Sequence, residues 1–244
     1  PGLVFFAIFS YTPMVGLILA FKQFNARLGI FGSPGVGLDN FRRIFVTPMA
    51  TQSIVNTLTI SFGRVLFEFP APILLALILN EMRGKQIKRI YQTTLTFPHF
   101  LSWVIVAIIL QDFLGSNGPV NYLLQSIGGD KQNFLSNPAY FRALLYVTSI
   151  WKTMGWSAII YISAIAGVSS ELYEAAAIDG AGRLGRIWHV TLPGMMNVIV
   201  LMALLNIGNI LNAGFDQVFN MYSAPVYQSG DIIDTFVYRI GMLD

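Results

Sequence analysis

The sequence has no cysteine and little charge for its length. Without cysteine, the chain can form no disulfide, no thiol nucleophile and no cysteine-bound metal site. Charged residues make up 11% of the 244 residues, whereas soluble domains carry roughly 25%. Hydrophobic residues make up 55% of the chain, and the mean hydropathy is +0.62. The net charge of +3 is too small to indicate nucleic acid binding. This composition predicts an integral membrane protein.

Long apolar runs predict membrane-spanning helices, because a helix needs about 20 apolar residues to cross the core of a bilayer. None of the runs alternates apolar and polar residues as the strands of a membrane barrel do. The predicted spans cover residues 3–21, 53–80, 95–114, 143–168 and 192–215. We therefore predict an all-α, polytopic helix bundle that forms a single transmembrane domain over residues 1–244.

The linkers between the spans indicate how the chain is oriented. Linkers 81–94 and 169–191 hold six Lys or Arg, and the other three linkers hold seven in more than twice the length. The positive-inside rule therefore places 81–94 and 169–191 in the cytoplasm. In the first linker, Leu38, Phe41 and Phe45 recur at helical spacing and predict a short amphipathic helix on the membrane surface.

The linker before the last run, ELYEAAAIDGAGRLGRIWHVT, is rich in small residues. Its alanines favour a helix over Leu172–Ile178, and Gly180 and Gly182 are expected to end it. Asp179 is then expected to cap a second short helix.

The second short helix has its apolar residues on one face, namely Leu184, Ile187 and Trp188. Thr191 is expected to cap the final span, with Pro193 in the first turn of that span. The linker is interpreted as helix, tight turn, helix and then span. The alternatives at this point are an ordinary helical hairpin that covers the end of the bundle and a slim helix that docks on another protein.

Spaced motifs in this linker carry a family resemblance. The groups Glu174-Ala175-Ala176, Asp179-Gly180-Ala181 and Leu192-Pro193 resemble the EAA loop of permease subunits in binding-protein-dependent ABC importers. Val190 stands where isoleucine is usual in that loop. Further stretches along the chain resemble the carbohydrate branch of these permeases, including aldouronate and alginate types: GLDNFRRIF, NTLTI, FPAPILLALILNE, FPHFLSWVIV, WKTMGW and DIIDTFVYRIG.

The resemblance implies a fold, a function and a location. It implies the type I importer permease fold, whose core has six helices, so a sixth span is expected beyond Asp244. It implies a multi-pass subunit of the bacterial cytoplasmic membrane that passes a sugar or oligosaccharide by alternating access. The 171–193 segment would dock on an ATPase subunit, and the ATPase-coupling residues would be Glu174, Ala175, Ala176, Asp179, Gly180 and Ala181.

The resemblance also implies partners. These are a second homologous permease in a heterodimer, two ATP-binding subunits and an extracytoplasmic solute-binding protein. No cofactor is expected in this chain, since ATP and Mg would be bound by the partner ATPases. The sequence has no phosphate-binding loop of its own: Gly84-Lys85 is followed by Gln86, and Leu79 stands where the first glycine would be. The chain is therefore expected to be a transport subunit and not an enzyme.

Polar residues inside the predicted spans are candidates for the substrate pathway. Asn206, Asn209 and Asn212 are spaced by three and predict a polar stripe on the last span, either for hydrogen bonds between helices or for lining a sugar path. Lys152 is expected either to snorkel or to meet an acidic sugar. Trp151 is expected either to stack on a sugar ring or to belong to an interfacial belt.

Arg64 and Glu68 lie four residues apart, which favours an internal ion pair, with a substrate or gate contact as the alternative. His99 and His189 have no second ligand at metal spacing, so no metal site is predicted. The alternative function is a membrane-embedded scaffold or enzyme subunit without a transport path. An enzyme would need a free carboxylate or nucleophile deep in a span, and Glu68 is the only carboxylate placed there.

Overall fold

The chain is helical, and no strand occurs within residues 1–243, the part that the computed structural model describes. This confirms the predicted all-α class. The helices are α1 (Gly2–Phe21), α2 (Asp39–Val46), α3 (Pro48–Phe67), α4 (Pro70–Glu81), α5 (Lys85–Thr96), α6 (Trp103–Leu114), α7 (Pro119–Ser126), α8 (Pro138–Ala166), α9 (Ser170–Ile178), α10 (Arg183–Gly208), α11 (Phe215–Met221) and α12 (Ile233–Tyr238). Short 3₁₀ and π turns connect or extend several of them.

Four stretches within residues 1–243 are long and apolar enough to cross a membrane. They are Gly2–Phe21, Pro48–Glu81, Trp103–Ser126 and Arg183–Gly208. The pair α8 and α9 supplies a fifth candidate, bent by 72° between its two helices. Each predicted span overlaps one of these five.

The chain divides into two compact units, residues 1–54 and 55–244. The prediction of a single permease domain over the whole chain stays a prediction. In the first unit, none of the residues of α1 is buried. Helix α2 forms where the spacing of Leu38, Phe41 and Phe45 predicts it.

Two predicted spans are broken by proline. Span 53–80 is interrupted after α3 at Glu68 and Phe69, because Pro70 and Pro72 have no N–H to continue the helical ladder. Span 95–114 begins later than predicted: Phe97–Phe100 is a 3₁₀ turn, and α6 starts at Trp103. The N-cap of α6 is Ser102, whose hydroxyl accepts a hydrogen bond from the backbone N–H of Ile105 at 3.3 Å.

The linkers 115–142 and 169–191 contain more helix than the sequence predicts. The first contains α7. In the second, Thr191 does not cap a new helix, because α10 runs without a break from Arg183 to Gly208. The helix passes Pro193 through a π turn at Ile187–Thr191, which leaves room for the proline ring.

Helix α8 lies at the centre of the second unit. It contacts α4, α5 and α10. Its first half contributes Phe141 and Leu145 to one buried apolar cluster, and its second half contributes Ala158 and Tyr161 to another. Helix α5 approaches α8 closely, since a Cβ at Gly155 would lie 2.1 Å from the carbonyl oxygen of Leu95.

Buried polar contacts fasten the segment after α11 to the bundle. The Arg142 guanidinium donates to the Ser229 carbonyl and to the Asn56 side-chain oxygen, each at 2.9 Å. Asn56 in turn donates to the backbone carbonyl of Asp231 at 2.9 Å. The Asp231 carboxylate accepts a hydrogen bond from Arg239 at 2.6 Å and is 5% exposed as a residue. Two sequence motifs that carry the family resemblance, NTLTI and DIIDTFVYRIG, therefore meet in one network.

We predict that Asp231→Ala lowers the stability of the protein by on the order of 3 kcal/mol, because it leaves the Arg239 charge without its buried partner. The measurement is the thermal midpoint of the purified protein in detergent. Asp234→Ala is the matched control, since Asp234 is exposed in the same segment, and it should change stability by no more than about 0.5 kcal/mol. Equal midpoints for the two variants would contradict the role given to this ion pair.

Candidate functional site

A polar cavity of about 330 Å³ opens in the second unit beside the break between α3 and α4. Three parts of the chain supply its polar side chains. They are Ser61, Arg64 and Glu68 in and just after α3, Thr153, Ser157 and Tyr161 on α8, and Asn206, Asn209 and Asn212 at and after the end of α10. Apolar side chains, including Val65, Phe69 and Met202, complete the wall.

The ion pair of Arg64 and Glu68 forms part of this wall. Their Nη1 and Oε1 atoms lie 3.1 Å apart, which confirms the predicted pair. Ser149 of α8 joins it, accepting from Arg64 at 3.2 Å and donating to Glu68 at 2.8 Å. Arg64 also donates to the side-chain oxygen of Gln217 on α11. The charges of this cluster cancel, so the cavity wall carries no net charge from it.

Two polar atoms at this wall are buried and lack a partner within residues 1–243. They are the hydroxyl of Ser61 and the Nε of Arg64. Ser61 is 3% exposed. A buried donor without a partner is destabilising unless water or a ligand satisfies it.

The three asparagines reach the cavity differently from the prediction. Only Asn206 lies within α10, because the helix ends at Gly208, and Asn209 is its C-cap. Asn212 lies in the following loop, where its oxygen accepts from the N–H of Gly214 at 3.1 Å. The predicted helical stripe over residues 192–215 is therefore wrong, but all three residues line the same cavity.

The asparagine side chains form local hydrogen bonds. Asn206 and Asn209 each donate to the carbonyl four residues earlier, at 2.9 and 3.0 Å. Within the described chain, no hydrogen bond joins any of the three amides to another helix. Of the two alternatives, bonding between helices is therefore not seen in the described residues, and the amide oxygens of Asn206 and Asn209 accept no hydrogen bond there.

Trp151 and Lys152 do not line this cavity. Lys152 is 8% exposed, and its ammonium donates to the carbonyl of His99 at 2.9 Å. The same ammonium lies 5.3 Å from the ring centroid of Trp103. Lys152 therefore fastens α8 to the turn before α6 and does not snorkel. Trp151 is 42% exposed on α8.

The spacing of polar residues in the sequence carries a further signal for this cavity. Thr153, Ser157 and Tyr161 are spaced by four on α8 and therefore share one face. On α3, Ser61 precedes Arg64 by three residues and lies on the same face. Two polar faces on neighbouring apolar helices mark a shared wall. Gln217 carried no such signal, because its place in the cluster depends on how α11 folds back onto α8.

The candidate coupling loop has the predicted helix and turn. Helix α9 contains Glu174, Ala175 and Ala176. Its N-cap is Ser169, whose hydroxyl accepts a hydrogen bond from the backbone N–H of Glu171 at 3.3 Å. Gly180 has a φ of +77°, a conformation that residues with a side chain rarely adopt.

Backbone hydrogen bonds identify the turn after α9 as a Schellman motif. The N–H of Gly180 donates to Ala177 at 3.1 Å, and the N–H of Ala181 donates to Ala176 at 2.9 Å. Asp179 is the C-cap of α9, so the prediction that it caps the following helix is wrong. Gly182 takes that position instead.

The apolar face predicted for the second part of the loop is divided. Ile187 packs against the cluster that contains Tyr161, whereas Leu184 and Trp188 are 72% and 66% exposed. The loop is joined to α10 by the hydroxyls of Tyr173 and Thr191, which lie 3.1 Å apart. A displacement of α9 would therefore act directly on the helix that ends at the cavity.

Comparison with known proteins places the chain in a transport family. A family model described as "Binding-protein-dependent transport system inner membrane component" matches residues 68–215. Among curated proteins, Protein LplB of Bacillus subtilis is 43% identical over 243 residues, which cover 99% of this chain and 76% of that protein. The polygalacturonan/rhamnogalacturonan transport system permease protein YteP of the same organism is 44% identical with the same coverage.

Solved structures agree with this placement. A crystal structure of a bacterial ABC transporter involved in the import of the acidic polysaccharide alginate contains a chain with a TM-score of 0.92 and 39% identity to this one. The match covers 100% of this chain and 82% of that chain. A second structure, in which that kind of transporter is bound to a periplasmic protein carrying an alginate pentasaccharide, gives a TM-score of 0.91. The chain therefore belongs to the family of inner membrane components of binding-protein-dependent transport systems, and it is a membrane-embedded transport subunit and not an enzyme.

Proposed function

We propose that this chain is the transmembrane permease subunit of an ATP-driven importer that passes a sugar or oligosaccharide across the bacterial cytoplasmic membrane. The observation that carries the proposal is the similarity over the whole chain to a transporter chain from an alginate importer. Relatives named as polygalacturonan/rhamnogalacturonan and arabinooligosaccharide permeases support the same substrate class.

The cavity is the part of the substrate path that this chain would contribute. Its asparagine amides and its hydroxyls both donate and accept hydrogen bonds, as sugar hydroxyls require. The Arg64 charge is neutralised by Glu68, so the cavity would offer hydrogen bonds and no fixed charge. A weakly binding, uncharged wall suits a path that must release its substrate.

The other subunits of the importer would be separate chains. We place a second, homologous permease beside this one, two ATP-binding subunits in the cytoplasm and a solute-binding protein outside. ATP and Mg would be held by the ATP-binding subunits, with no cofactor in this chain. Closure of those subunits would move α9, and the hydroxyl contact of Tyr173 with Thr191 would transmit the movement to α10.

The alternative is a membrane-embedded scaffold or enzyme subunit. An enzyme would need a carboxylate free to act as acid or base, but Glu68 is bound by Arg64 and Ser149. A scaffold would have no need of a polar cavity between its helices. Transport of a labelled oligosaccharide by the reconstituted complex decides between these functions.

Orientation is tested by single-cysteine labelling, because the chain has no cysteine of its own. We predict that a cysteine at Ser170 is labelled by a membrane-impermeant reagent only after the cells are opened. A cysteine at Ser126, at the end of α7, should be labelled in intact cells and serves as the control. Labelling of the Ser170 variant from outside would reverse the orientation and remove the proposed coupling role.

The cavity is tested at Asn209. We predict that Asn209→Leu lowers transport about fivefold, the value of one hydrogen bond to substrate, while complex yield and basal ATP hydrolysis stay the same. Asn220→Leu is the matched control, since Asn220 also bonds only to a carbonyl four residues earlier and does not line the cavity. Unchanged transport with reduced thermal stability would give Asn209 a purely structural role.

The coupling loop is tested at Gly180. We predict that Gly180→Val strains the Schellman turn by about 1–2 kcal/mol, because valine must adopt a φ of +77°. No atom lies within 4 Å of a Cβ placed there, so the strain comes from the backbone and not from crowding within this chain. Ala175→Trp should disturb docking by its bulk.

The measurements for both loop variants are co-purification of the ATP-binding subunits and ATP hydrolysis stimulated by the loaded binding protein. Both should fall, while membrane insertion stays intact. Gly182→Ala is the control, since Gly182 has a φ of −66° that alanine adopts freely. Full co-purification and full stimulated hydrolysis in both variants would make the loop a cover for the bundle end and nothing more.

A further inference from the structure

A second groove is lined by α5, the turn after it and Ile159 of α8, and it shares no lining residue with the polar cavity. Its volume is about 400 Å³. Its polar residues come from α5, here called the polar end, and its apolar residues come from the turn after α5 and from α8, here called the apolar end. Arg89, Thr93 and Thr96 line the polar end, and Phe97, Phe100 and Ile159 line the apolar end. The basic segment 81–94 supplies Arg89, Gln92 and Thr93, and the apolar helix α6 begins three residues after Phe100. The groove therefore leads from the segment that the positive-inside rule places in the cytoplasm towards a membrane-spanning helix.

Helix α5 is amphipathic and basic. Lys85, Lys88 and Arg89 share one face, and Ile87, Ile90 and Tyr91 share the opposite face. The three apolar side chains are 51%, 64% and 51% exposed. The apolar face is therefore largely exposed within residues 1–243.

The charge at the polar end is not neutralised within the chain. The segment 81–94 holds four Lys or Arg and one acidic residue, Glu81. No ion pair or hydrogen bond involves the Arg89 side chain within the described residues. An exposed guanidinium at a membrane interface is suited to a phosphate, to which it can donate two hydrogen bonds.

We propose that this groove is a binding site for an anionic phospholipid. Arg89 and the Thr93 hydroxyl would bind the headgroup phosphate, and an acyl chain would lie along Phe97 and Phe100, which are 64% and 69% exposed. A free phosphate would leave the apolar end uncovered, and a zwitterionic lipid would leave the basic charge uncompensated. Each basic residue at a membrane surface raises the affinity for anionic lipids about fivefold.

The site is placed where a lipid would affect the bundle. Phe100 lies edge-on to Trp156 of α8 with ring centroids 5.9 Å apart, and His99 stacks on the same indole at 4.7 Å. Gly155 of α8 also lies in close contact with Leu95 of α5. A bound acyl chain would cover Phe100 and brace α5 and the turn after it against α8.

The test is direct binding of short-chain lipids to the full-length protein in detergent, followed by native mass spectrometry. The probes are dioctanoyl phosphatidylglycerol and dioctanoyl phosphatidylcholine, which differ only in headgroup. We expect the wild type to prefer phosphatidylglycerol at least about fivefold. Arg89→Gln should remove this preference. Lys131→Gln, which removes an exposed charge elsewhere in the chain, should keep it.

Two further arms identify the occupant. Phe100→Ser should weaken binding of both lipids and leave their ratio unchanged, because it alters only the acyl end. Millimolar inorganic phosphate should not displace phosphatidylglycerol. Equal binding of the two lipids to the wild type, or an undiminished preference in Arg89→Gln, would overturn the proposal. Displacement by phosphate alone would also overturn it, since the site would then be an anion site. None of these outcomes depends on transport activity.

Discussion

The polar cluster of Arg64, Glu68, Ser149 and Gln217 is the interaction on which the arrangement around the cavity depends. It joins the end of α3, the middle of α8 and the start of α11, which lie far apart in the sequence. In a bundle surrounded by lipid, apolar contacts alone favour no particular pairing, because lipid tails are as apolar as leucine. A buried ion pair must keep its partners, since each charge is costly when left alone.

The cluster also determines what the cavity can recognise. Because Glu68 neutralises Arg64, the positive charge at the cavity wall is cancelled by a carboxylate four residues further along the chain. What remains at the wall are the amides of Asn206 and Asn209 and the hydroxyls of α8. Under the proposed function, such a wall would bind many sugars weakly. Selection of one sugar would then fall to the proposed solute-binding protein.

Helix α10 connects the coupling loop to the cavity. It is continuous from Arg183 to Gly208, so it is attached to α9 at one end and carries Asn206 near the other. The π turn before Pro193 is the one interruption of regular hydrogen bonding in its first half. Helices bend most easily at such turns. A single helix with one such turn would suit the transfer of a movement from the candidate coupling loop to the cavity.

The sequence by itself determined the class, the family and the local structure. The lack of charge and the apolar runs were enough for a helical membrane protein, and the spaced motif around Gly180 was enough for the family. The pair of Arg64 and Glu68 and the turn after α9 were also predictable, because both depend on residues within a few positions of each other. Local spacing and backbone preference are properties of short segments.

Only the tertiary structure decided where the helices break and which residues meet. Pro70 interrupts a span whose apolar run continues, and Pro193 does not interrupt α10, because the fold absorbs it in a π turn. Lys152 turned out to bind the His99 carbonyl, and Gln217 joined Arg64, through contacts between elements distant in sequence. Which helix faces which depends on the sum of many packing contacts, and no short segment of sequence contains that sum.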